Sequence, residues 1–242
     1  MNIIKGLRDK LFGLKKIEYL LSKSAELSKN HNLFSMRELK AMEILRPYFP
    51  DGYLLETSYS ISFQTIQHII NDIILNKPAV ILEFGSGLST QIISNYILKN
   101  GLDIKFVSID NDLIWLGFLQ RTIKNVDFYH FPLKKNHPFS HQGNGQWFDI
   151  PKQHIVNSFI FDMVIVDAPK GDLGEKSRVG AIEFLSEKLG SNPIVFIDDS
   201  NRKDEREICD LLLLRFETLK SVKHFYNYSR LSHSELFYSA PS

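Results

Sequence analysis

Acidic and small residues follow four of five short apolar runs in the middle of the chain. The first run ends in Gly85-Ser86-Gly87, and three others end in Asp110, Asp167 and Asp198-Asp199. In an open sheet of parallel strands, ligands bind beyond the carboxyl ends of the strands. The spacing therefore predicts a single binding site, assembled from residues that lie far apart in the chain.

The glycine loop after the first run indicates what kind of ligand binds there. Gly85 and Gly87 allow the backbone to approach a ligand closely. Ser89 and Thr90 can cap the helix that follows. A dinucleotide-binding loop usually has Gly or Ala at the position of Thr90, whereas the carboxylate of Glu83 suits an ammonium group. The loop thus favours a ligand with an amino acid head over a pyrophosphate.

Asp110 stands about 25 residues after Gly85, at the end of the second run. Its two carboxylate oxygens can accept hydrogen bonds from both hydroxyls of a ribose. An amino acid head, a cationic sulfonium and a ribose diol occur together in S-adenosylmethionine. The residues therefore predict that cofactor. A nicotinamide-dependent oxidoreductase and a non-catalytic cofactor-binding module of the same fold are the alternatives.

From residue 79 onward, short apolar runs alternate with helical patterns. The runs are Ala79–Phe84, Asp103–Asp110, Val126–Phe131, Phe161–Asp167 and Ile194–Asp198, and the helices are Ser89–Lys99, Asp112–Lys124, Arg178–Leu189 and Asn201–Thr218. The alternation predicts an α/β fold with helices on both faces of a mostly parallel sheet. Ser221–Ser229 and Glu235–Ser239 are too close for a parallel return, so we expect a C-terminal antiparallel hairpin.

Residues 1–60 are expected to form a helical accessory segment before a binding domain of residues 61–242. Helical spacing of apolar residues is found over 1–30 and 36–48, and a helix capped near Ser62 is expected to follow. Residues 1–30 carry seven basic and three acidic side chains. Their basic, amphipathic pattern leaves three roles open: packing on the domain, pairing in a homodimer, and peripheral contact with a membrane surface.

The composition is ordinary for a globular protein. The formal net charge of +1 gives no indication of nucleic-acid binding. The single cysteine, Cys209, excludes an intrachain disulfide, and we expect a cytoplasmic protein. No uninterrupted run of about 18 apolar residues indicates a transmembrane helix. Lysines interrupt the apolar stretch that a secretion signal would need.

Four segments together resemble the class I S-adenosylmethionine-dependent methyltransferases. Val80–Thr90 resembles motif I of that family, in its Glu-Phe-Gly-Ser-Gly variant followed by Ser-Thr. Val107–Asp110 resembles the acidic end of the second strand, and Phe161–Pro169 and Ile194–Asp199 resemble the fourth and fifth strands. Over roughly residues 60–240, the resemblance implies a Rossmann-like, seven-stranded sheet whose last strand is antiparallel.

The resemblance also implies roles for residues at the strand ends. The methionine end of the cofactor would lie against Glu83 and the glycine turn, the ribose would bind Asp110, and Asn111 would lie beside the adenine. The residues expected to contact the cofactor are Glu83, Gly85, Ser86, Gly87, Ser89, Thr90, Asp110, Asn111, Phe131 and Asp167.

In the catechol O-methyltransferase branch of the family, a divalent metal lies between an Asp after the fourth strand and an Asp-Asn pair after the fifth. A Lys three residues beyond the first Asp serves as base. Asp167, Lys170, Asp198 and Asp199 stand at matching places. Because Asp199 replaces the Asn, we expect helix capping and pairing with Arg202 or Lys203 to neutralise the carboxylates, rather than a metal. The expected catalytic residues are Asp199, as first choice of base, Asp167 and Lys170.

The acceptor is expected to be a sugar, glycan or other small molecule that is methylated on oxygen, because similar motifs occur in methyltransferases of glycan and natural-product biosynthesis. The segment 133–160 is long for a connection and is expected to be a substrate loop or lid. His137 and His141 within it are expected to be solvated rather than to bind zinc. Arg178 and Arg202 follow two of the strand ends, where either can meet an anionic group of the acceptor.

Overall fold

The computed structural model describes residue 10 and residues 13–235 and 238–242. The chain forms two compact units, divided between Lys40 and Ala41. Helix α1 (Leu14–Leu45) runs without interruption through the break expected between residues 30 and 36, because no proline or glycine occurs in it. The start of the helix expected over residues 1–30 lies outside the described residues, and the domain boundary at residue 60 stays a prediction.

A seven-stranded sheet forms the centre of the second unit. In chain order the strands are β1 (Val80–Phe84), β2 (Lys105–Asp110), β3 (Asp127–His130), β4 (Leu133–Lys135), β5 (Gln146–Phe148), β6 (Phe161–Val166), β7 (Leu189–Asp198), β8 (Ser221–His224) and β9 (Tyr228–Ser232). The main sheet has the order β3-β2-β1-β6-β7-β9-β8, and β4 and β5 pair separately. Strands β3, β2, β1, β6 and β7 are parallel, whereas β9 is antiparallel to both of its neighbours. The predicted fold class is confirmed.

Helices cover both faces of this sheet. They are α2 (Phe63–Asn76), α3 (Leu88–Lys99) and α4 (Leu113–Thr122) on one face, and α5 (Gly180–Phe184) and α6 (Lys203–Arg215) on the other. Local caps begin two of them: Ser62 Oγ accepts from the Thr65 amide, and Asp112 accepts from the first amides of α4. Helix α5 is much shorter than expected, because Glu187 turns the backbone to a φ of 62° before β7.

The central strands are apolar on both faces. In β1, Ile81 packs with Ile69 and Ile92 on the side of α2 and α3, whereas Leu82 and Phe84 pack on the side of α6. Neighbouring side chains of a strand point to opposite faces. A strand buried on both sides therefore needs a continuous apolar run, which is the pattern that identified these strands in the sequence.

Buried polar groups join α2 to β9. Arg230 donates to both carboxylate oxygens of Asp72, at 2.5 and 3.2 Å. Nδ1 of His68 lies 2.9 Å from the Tyr228 hydroxyl, and its Nε2 lies 3.0 Å from the Ser239 hydroxyl. Burial lowers the pKa of His68 to about 3, so the ring is neutral at pH 7. These contacts fix the antiparallel strand β9 and the C-terminal segment at Ser239 against α2.

The second strand of the terminal hairpin begins and ends earlier in the chain than the sequence predicted. Its strands are β8 and β9, so the second strand is Tyr228–Ser232 rather than Glu235–Ser239. Leu236 and Phe237 lie outside the described residues. The chain turns earlier than expected, after His224, because Tyr228 and Arg230 belong to the strand that contacts α2.

The segment 133–160 is packed in its central part, and its expected role as a substrate loop or lid stays a prediction. It contains the β4–β5 hairpin, and the Trp147 side chain is fully buried. The indole lies so close to Gly180 that a Cβ there would come within 2.2 Å of it. The hairpin is therefore part of the core on the side of α5. No helix among the described residues combines the length and apolar character needed to cross a membrane.

Candidate functional site

The glycine turn after β1 lies where the strand order of the sheet reverses, between β2 on one side and β6 on the other. Gly85 has a left-handed φ of 99°, and a Cβ there would lie 3.1 Å from the Cβ of Ala168. Any larger residue would be strained and would crowd the loop after β6. A Cβ at Gly87 would meet nothing within 4 Å, so the space above this turn is open to a ligand.

The Glu83 carboxylate is fully buried beneath the turn. Its Oε1 accepts from Ser89 Oγ at 2.5 Å, and its Oε2 accepts from Thr90 Oγ1 at 2.5 Å and from Ser108 Oγ at 2.8 Å. Burial raises the pKa of Glu83 to about 7, although the three hydrogen bonds favour the charged form. Glu83 therefore ties β1 to β2 and α3, and its side chain does not line the open space.

Asp110, at the end of β2, supports the same turn. Its Oδ2 accepts from the Ser86 amide at 2.9 Å, and its Oδ1 accepts from the Asp112 amide at 2.8 Å. Burial raises the pKa of Asp110 above its ordinary value. The Trp115 indole donates to the Ser86 carbonyl at 2.6 Å, which places an aromatic ring beside the turn. Each oxygen of Asp110 retains acceptor capacity for a ligand hydroxyl.

A loop that the sequence did not single out forms the opposite wall. The Gln91 side chain on α3 makes two hydrogen bonds to the backbone of Leu55, which anchor the start of this loop. Thr57 and Ser60 then form a tight turn, with the Ser60 amide donating to the Thr57 carbonyl at 3.0 Å. Predicting this wall would have required the long-range pairing with Gln91, which has no local sequence signal.

Together these elements enclose a cleft of about 440 Å³. Its volume is in the usual range for small-molecule sites. The lining residues are Thr57, Ser58, Tyr59, Ser60, Ile61, Gly85, Ser86, Gly87, Leu88, Ser89, Asp110, Asn111, Asp112, Trp115, Asp167, Ala168 and Lys170. The cleft thus combines the ends of β1, β2 and β6 in one place, as the strand-end pattern predicted.

A second space, which we call the chamber, adjoins the cleft and measures about 430 Å³. Its lining residues are Ser58, Tyr59, Ser60, Asp167, Lys170, Gly171, Asp172, Arg178, Asp198, Asp199 and Arg202. The Lys170 ammonium lies 4.0 Å from the centre of the Tyr59 ring, a cation–π contact across the boundary of the two spaces. The chamber is polar and carries charges of both signs.

Three carboxylates meet at one side of the chamber. Asp167, Asp198 and Asp199 each bring a carboxylate oxygen within 4.8 Å of the other two. Nη2 of Arg178 lies 3.2 Å from Asp167 Oδ1 and 3.0 Å from Asp199 Oδ2. Arg202 reaches Asp199 Oδ2 from the outer side, at 3.1 Å. The expected pairing of Arg202 with Asp199 is thus present. Arg178, which the sequence placed near the acceptor, is a second and buried partner of the cluster.

Burial and like charges set the protonation of this cluster. Burial and the neighbouring Asp167 and Asp199 raise the pKa of Asp198 well above its ordinary value. Burial also raises the pKa of Asp167, against the opposing effect of Arg178. A carboxyl that remains protonated near neutral pH can share its proton with a neighbouring carboxylate. Burial and like charges thus favour the protonated form of both Asp198 and Asp167.

Comparisons with known proteins concern the fold. No protein-family profile matches the chain, and no curated protein matches it. Among solved structures, a putative caffeoyl-CoA O-methyltransferase from Staphylococcus aureus is 14% identical, over 84% of this chain and 97% of that chain, with a TM-score of 0.50. The chain has the fold of the class I S-adenosylmethionine-dependent methyltransferases. Methyltransferase PaMTH1 from Podospora anserina, solved with SAH bound, is also 14% identical, over 81% and 86% of the two chains, with a TM-score of 0.46.

Within this methyltransferase fold, most of the residues expected to contact the cofactor line the cleft. They are Gly85, Ser86, Gly87, Ser89, Asp110, Asn111 and Asp167. Glu83 and Thr90 lie beneath the glycine turn, and Phe131 lies in the core on the side of α5 and α6. The aromatic residues that line the cleft instead are Tyr59 and Trp115, the latter in the first turn of α4.

The residues expected to be catalytic all line the chamber of this methyltransferase fold: Asp167, Lys170 and Asp199. The capping role expected for the acidic pair after β7 is wrong, because Arg202 occupies the N-cap position of α6 and no side chain caps that helix. His137 and His141 lie in the connection before β5, where His141 Nε2 is 3.4 Å from a Glu175 carboxylate oxygen.

Proposed function

We propose that the chain is an S-adenosylmethionine-dependent methyltransferase that methylates a hydroxyl oxygen of a sugar or another small polar molecule. The observation that carries the proposal is the shared wall between cleft and chamber, formed by Ser58, Tyr59, Ser60, Asp167 and Lys170. Methyl transfer needs donor and acceptor in adjoining spaces with the reacting atoms aligned. Two ligand-sized spaces that meet along these five residues suit that requirement.

The cleft suits the donor, which supplies an activated methyl group on a sulfonium. The open space above Gly87 accommodates the amino acid end close to the backbone. Asp110 Oδ2 accepts from the Ser86 amide and Oδ1 from the Asp112 amide, and a carboxylate oxygen can accept more than one hydrogen bond, so a ribose diol can also bind there. The Trp115 ring, near Asn111, offers a flat apolar wall to the adenine.

Asp167 is the best placed base for the transfer. An acceptor hydroxyl must lose its proton as its oxygen bonds to the methyl carbon and the C–S bond breaks, with the electron pair moving to sulfur. Asp167 lines both spaces, and burial raises its pKa toward the range in which a general base is effective. Asp199, the first choice from the sequence, is engaged by Arg178 and Arg202 and is less available to an acceptor.

The chamber suits a polar acceptor. Hydroxyl groups of Ser58 and Ser60, carboxylates and cationic side chains make up most of its wall. Several hydroxyls on one ligand can be satisfied by such a wall, whereas an apolar acceptor would leave its polar groups without partners. These features support a sugar or another polyhydroxylated molecule.

Titration calorimetry of the full chain with S-adenosylhomocysteine tests the donor half of the proposal. We expect saturable binding with one site per chain, unaffected by excess NAD. Tight binding of NAD without any response to S-adenosylhomocysteine would instead establish the oxidoreductase alternative. Substituting the cleft residue Gly87 by Val fills the open space and should abolish binding, whereas the exposed Asp103→Ala variant serves as the matched control.

The acceptor half requires a screen of sugars and small hydroxylated molecules, with formation of S-adenosylhomocysteine as the readout. A true acceptor should give turnover that falls strongly in Asp167→Asn while the affinity for S-adenosylhomocysteine stays within a few-fold. Binding of the cofactor product with no turnover on any class of hydroxyl, amine or thiol acceptor would favour the non-catalytic module.

A further inference from the structure

The acidic cluster of the chamber, Asp167, Asp198 and Asp199, has the donor chemistry of a divalent cation site. Carboxylate oxygens are the ligands that Mg²⁺ and Ca²⁺ prefer, and the three groups lie within 4.8 Å of one another. The catechol-type resemblance of the sequence implies a metal at this place. Whether the cluster fits one depends on what already lies among the three carboxylates.

The Arg178 guanidinium lies among them. Its Nη2 is 3.0 Å from Asp199 Oδ2 and 3.2 Å from Asp167 Oδ1. A divalent cation would have to lie about 2.0–2.6 Å from the same oxygens. A metal bound through these two oxygens would therefore occupy the space of the guanidinium, and their like charges would repel. Asp167 Oδ1 and Asp199 Oδ2 do not fit a metal while Arg178 keeps this position.

Four hydrogen bonds hold Arg178 there. Besides the two carboxylates, Nη1 donates to the Asp198 carbonyl at 2.8 Å, and Nε donates to the Pro169 carbonyl at 3.2 Å. The side chain is only 3% exposed. Moving it aside would leave a buried charge and two backbone carbonyls without partners, which is costly. Arg178 is therefore a fixed part of the site.

Arg178 also faces the cluster from its buried side. It contacts carboxylate oxygens of both Asp167 and Asp199, whereas Arg202 contacts Asp199 from the half-exposed side. Arg202 Nη1 also lies 3.8 Å from Glu205 Oε1, so its charge is shared with a carboxylate outside the cluster. Arg178 is therefore the cation that joins the carboxylates at the place where a metal would bind.

We propose that Arg178 is the built-in cation of this site and that the Asp167–Asp198–Asp199 cluster binds no divalent metal in the native protein. Arg178 acts as a positioning residue: it orients Asp167 toward the shared wall and holds Asp199 in place. This inference concerns the cation content of the cluster and does not depend on the identity of the acceptor or the donor.

Binding of Mn²⁺ to the full chain, measured by electron paramagnetic resonance of the free ion, tests the proposal. We expect no saturable site in the native protein. In Arg178→Ala, which exposes three carboxylates to one another, we expect the affinity for Mn²⁺ to rise by about tenfold or more. Arg202→Ala is the matched control, because it removes the outer guanidinium and leaves Arg178 in place, and it should gain no site.

Two results would overturn the proposal. One is a stoichiometric Mn²⁺ site in the native protein that disappears in Asp167→Asn, which would make the cluster a metal site. The other is a folded Arg178→Ala protein whose affinity for Mn²⁺ is no higher than that of the native protein, which would show that Arg178 does not exclude the metal. Circular dichroism establishes folding of the variant. If the variant does not fold, Mn²⁺ binding to the native protein and to Asp167→Asn still decides whether the cluster is a metal site.

Discussion

The Thr90 hydroxyl joins two groups of the glycine turn. It donates to Glu83 Oε2 at 2.5 Å and accepts from the Gly87 amide at 2.7 Å. One side chain thus connects a buried carboxylate to the backbone that borders the cleft. The geometry of the turn, and with it the space above Gly87, depends on the protonation and hydrogen bonding of Glu83.

Glu83 should make the stability of the protein fall as the pH rises. Its pKa is raised from 4.5 to about 7 in the folded chain, so between these values the folded state binds more protons than the unfolded state. The group should cost up to roughly 3 kcal/mol of unfolding free energy once the pH exceeds 7. Urea denaturation at ~pH 5 and ~pH 8 measures this loss.

Glu83→Gln removes the titrating group and keeps an acceptor for the neighbouring hydroxyls. The difference in unfolding free energy between Glu83→Gln and the native protein should therefore shift in favour of the variant as the pH rises from 4.5 to about 7, and should level off above that pH. Thr90→Ser, which keeps the hydroxyl and the carboxylate, should retain the pH dependence of the native protein. If the unfolding free energies of the native protein and Glu83→Gln changed with pH in parallel, Glu83 would not have the raised pKa.

Asp110→Ala should weaken the binding of S-adenosylhomocysteine by one to several kcal/mol, because a hydrogen bond to a charged group contributes about 1.5–3 kcal/mol. It should also lower stability, since the Ser86 and Asp112 amides lose their acceptor. Calorimetry and thermal denaturation separate the two effects.

Asp112→Ala is the control for Asp110, since it removes the cap of α4 and so costs about 1 kcal/mol of stability. It should change the affinity for S-adenosylhomocysteine much less than Asp110→Ala does. Equal losses of affinity in the two variants would mean that Asp110 acts only through the shape of the turn.

Arg230→Met should destabilise the fold by about 3–5 kcal/mol, because it leaves the buried Asp72 carboxylate without its partner. Neither residue lines the cleft, so the affinity of the folded fraction for S-adenosylhomocysteine should not change. The double variant Asp72→Leu/Arg230→Met should recover part of the loss. Equal stability of the single variant and the native protein in urea would show that the ion pair contributes nothing.

Removal of residues 1–40 should leave the affinity for S-adenosylhomocysteine nearly unchanged, because every residue that lines the cleft lies at position 57 or later. Light scattering and vesicle sedimentation of the full and shortened chains would then show whether these residues support a dimer or contact a membrane surface. A shortened chain that is folded but does not bind S-adenosylhomocysteine would show that cofactor binding depends on residues 1–40.

The sequence by itself determined the α/β class and the location of the site. Buried parallel strands require apolar runs, and helices require their own periodicity, so both leave local patterns that can be read without the structure. The side chains after each strand then had to meet at one edge, which is why Gly87, Asp110 and Asp167 were assigned to one cleft. The cap near Ser62 could be predicted for the same reason, since a cap acts on the next few residues.

Only the tertiary structure decided how these residues are used. Glu83 turns inward because Ser108, 25 positions away, completes its hydrogen bonds. The loop around Tyr59 lines the cleft because the Gln91 side chain binds the backbone of Leu55. The Trp147 side chain packs in the core because Gly180 has no Cβ to occupy the same space. Arg178 lies among the carboxylates because it finds backbone acceptors both after β6 and at the end of β7. Each of these depends on contacts between residues far apart in sequence, and local patterns carry no information about such contacts.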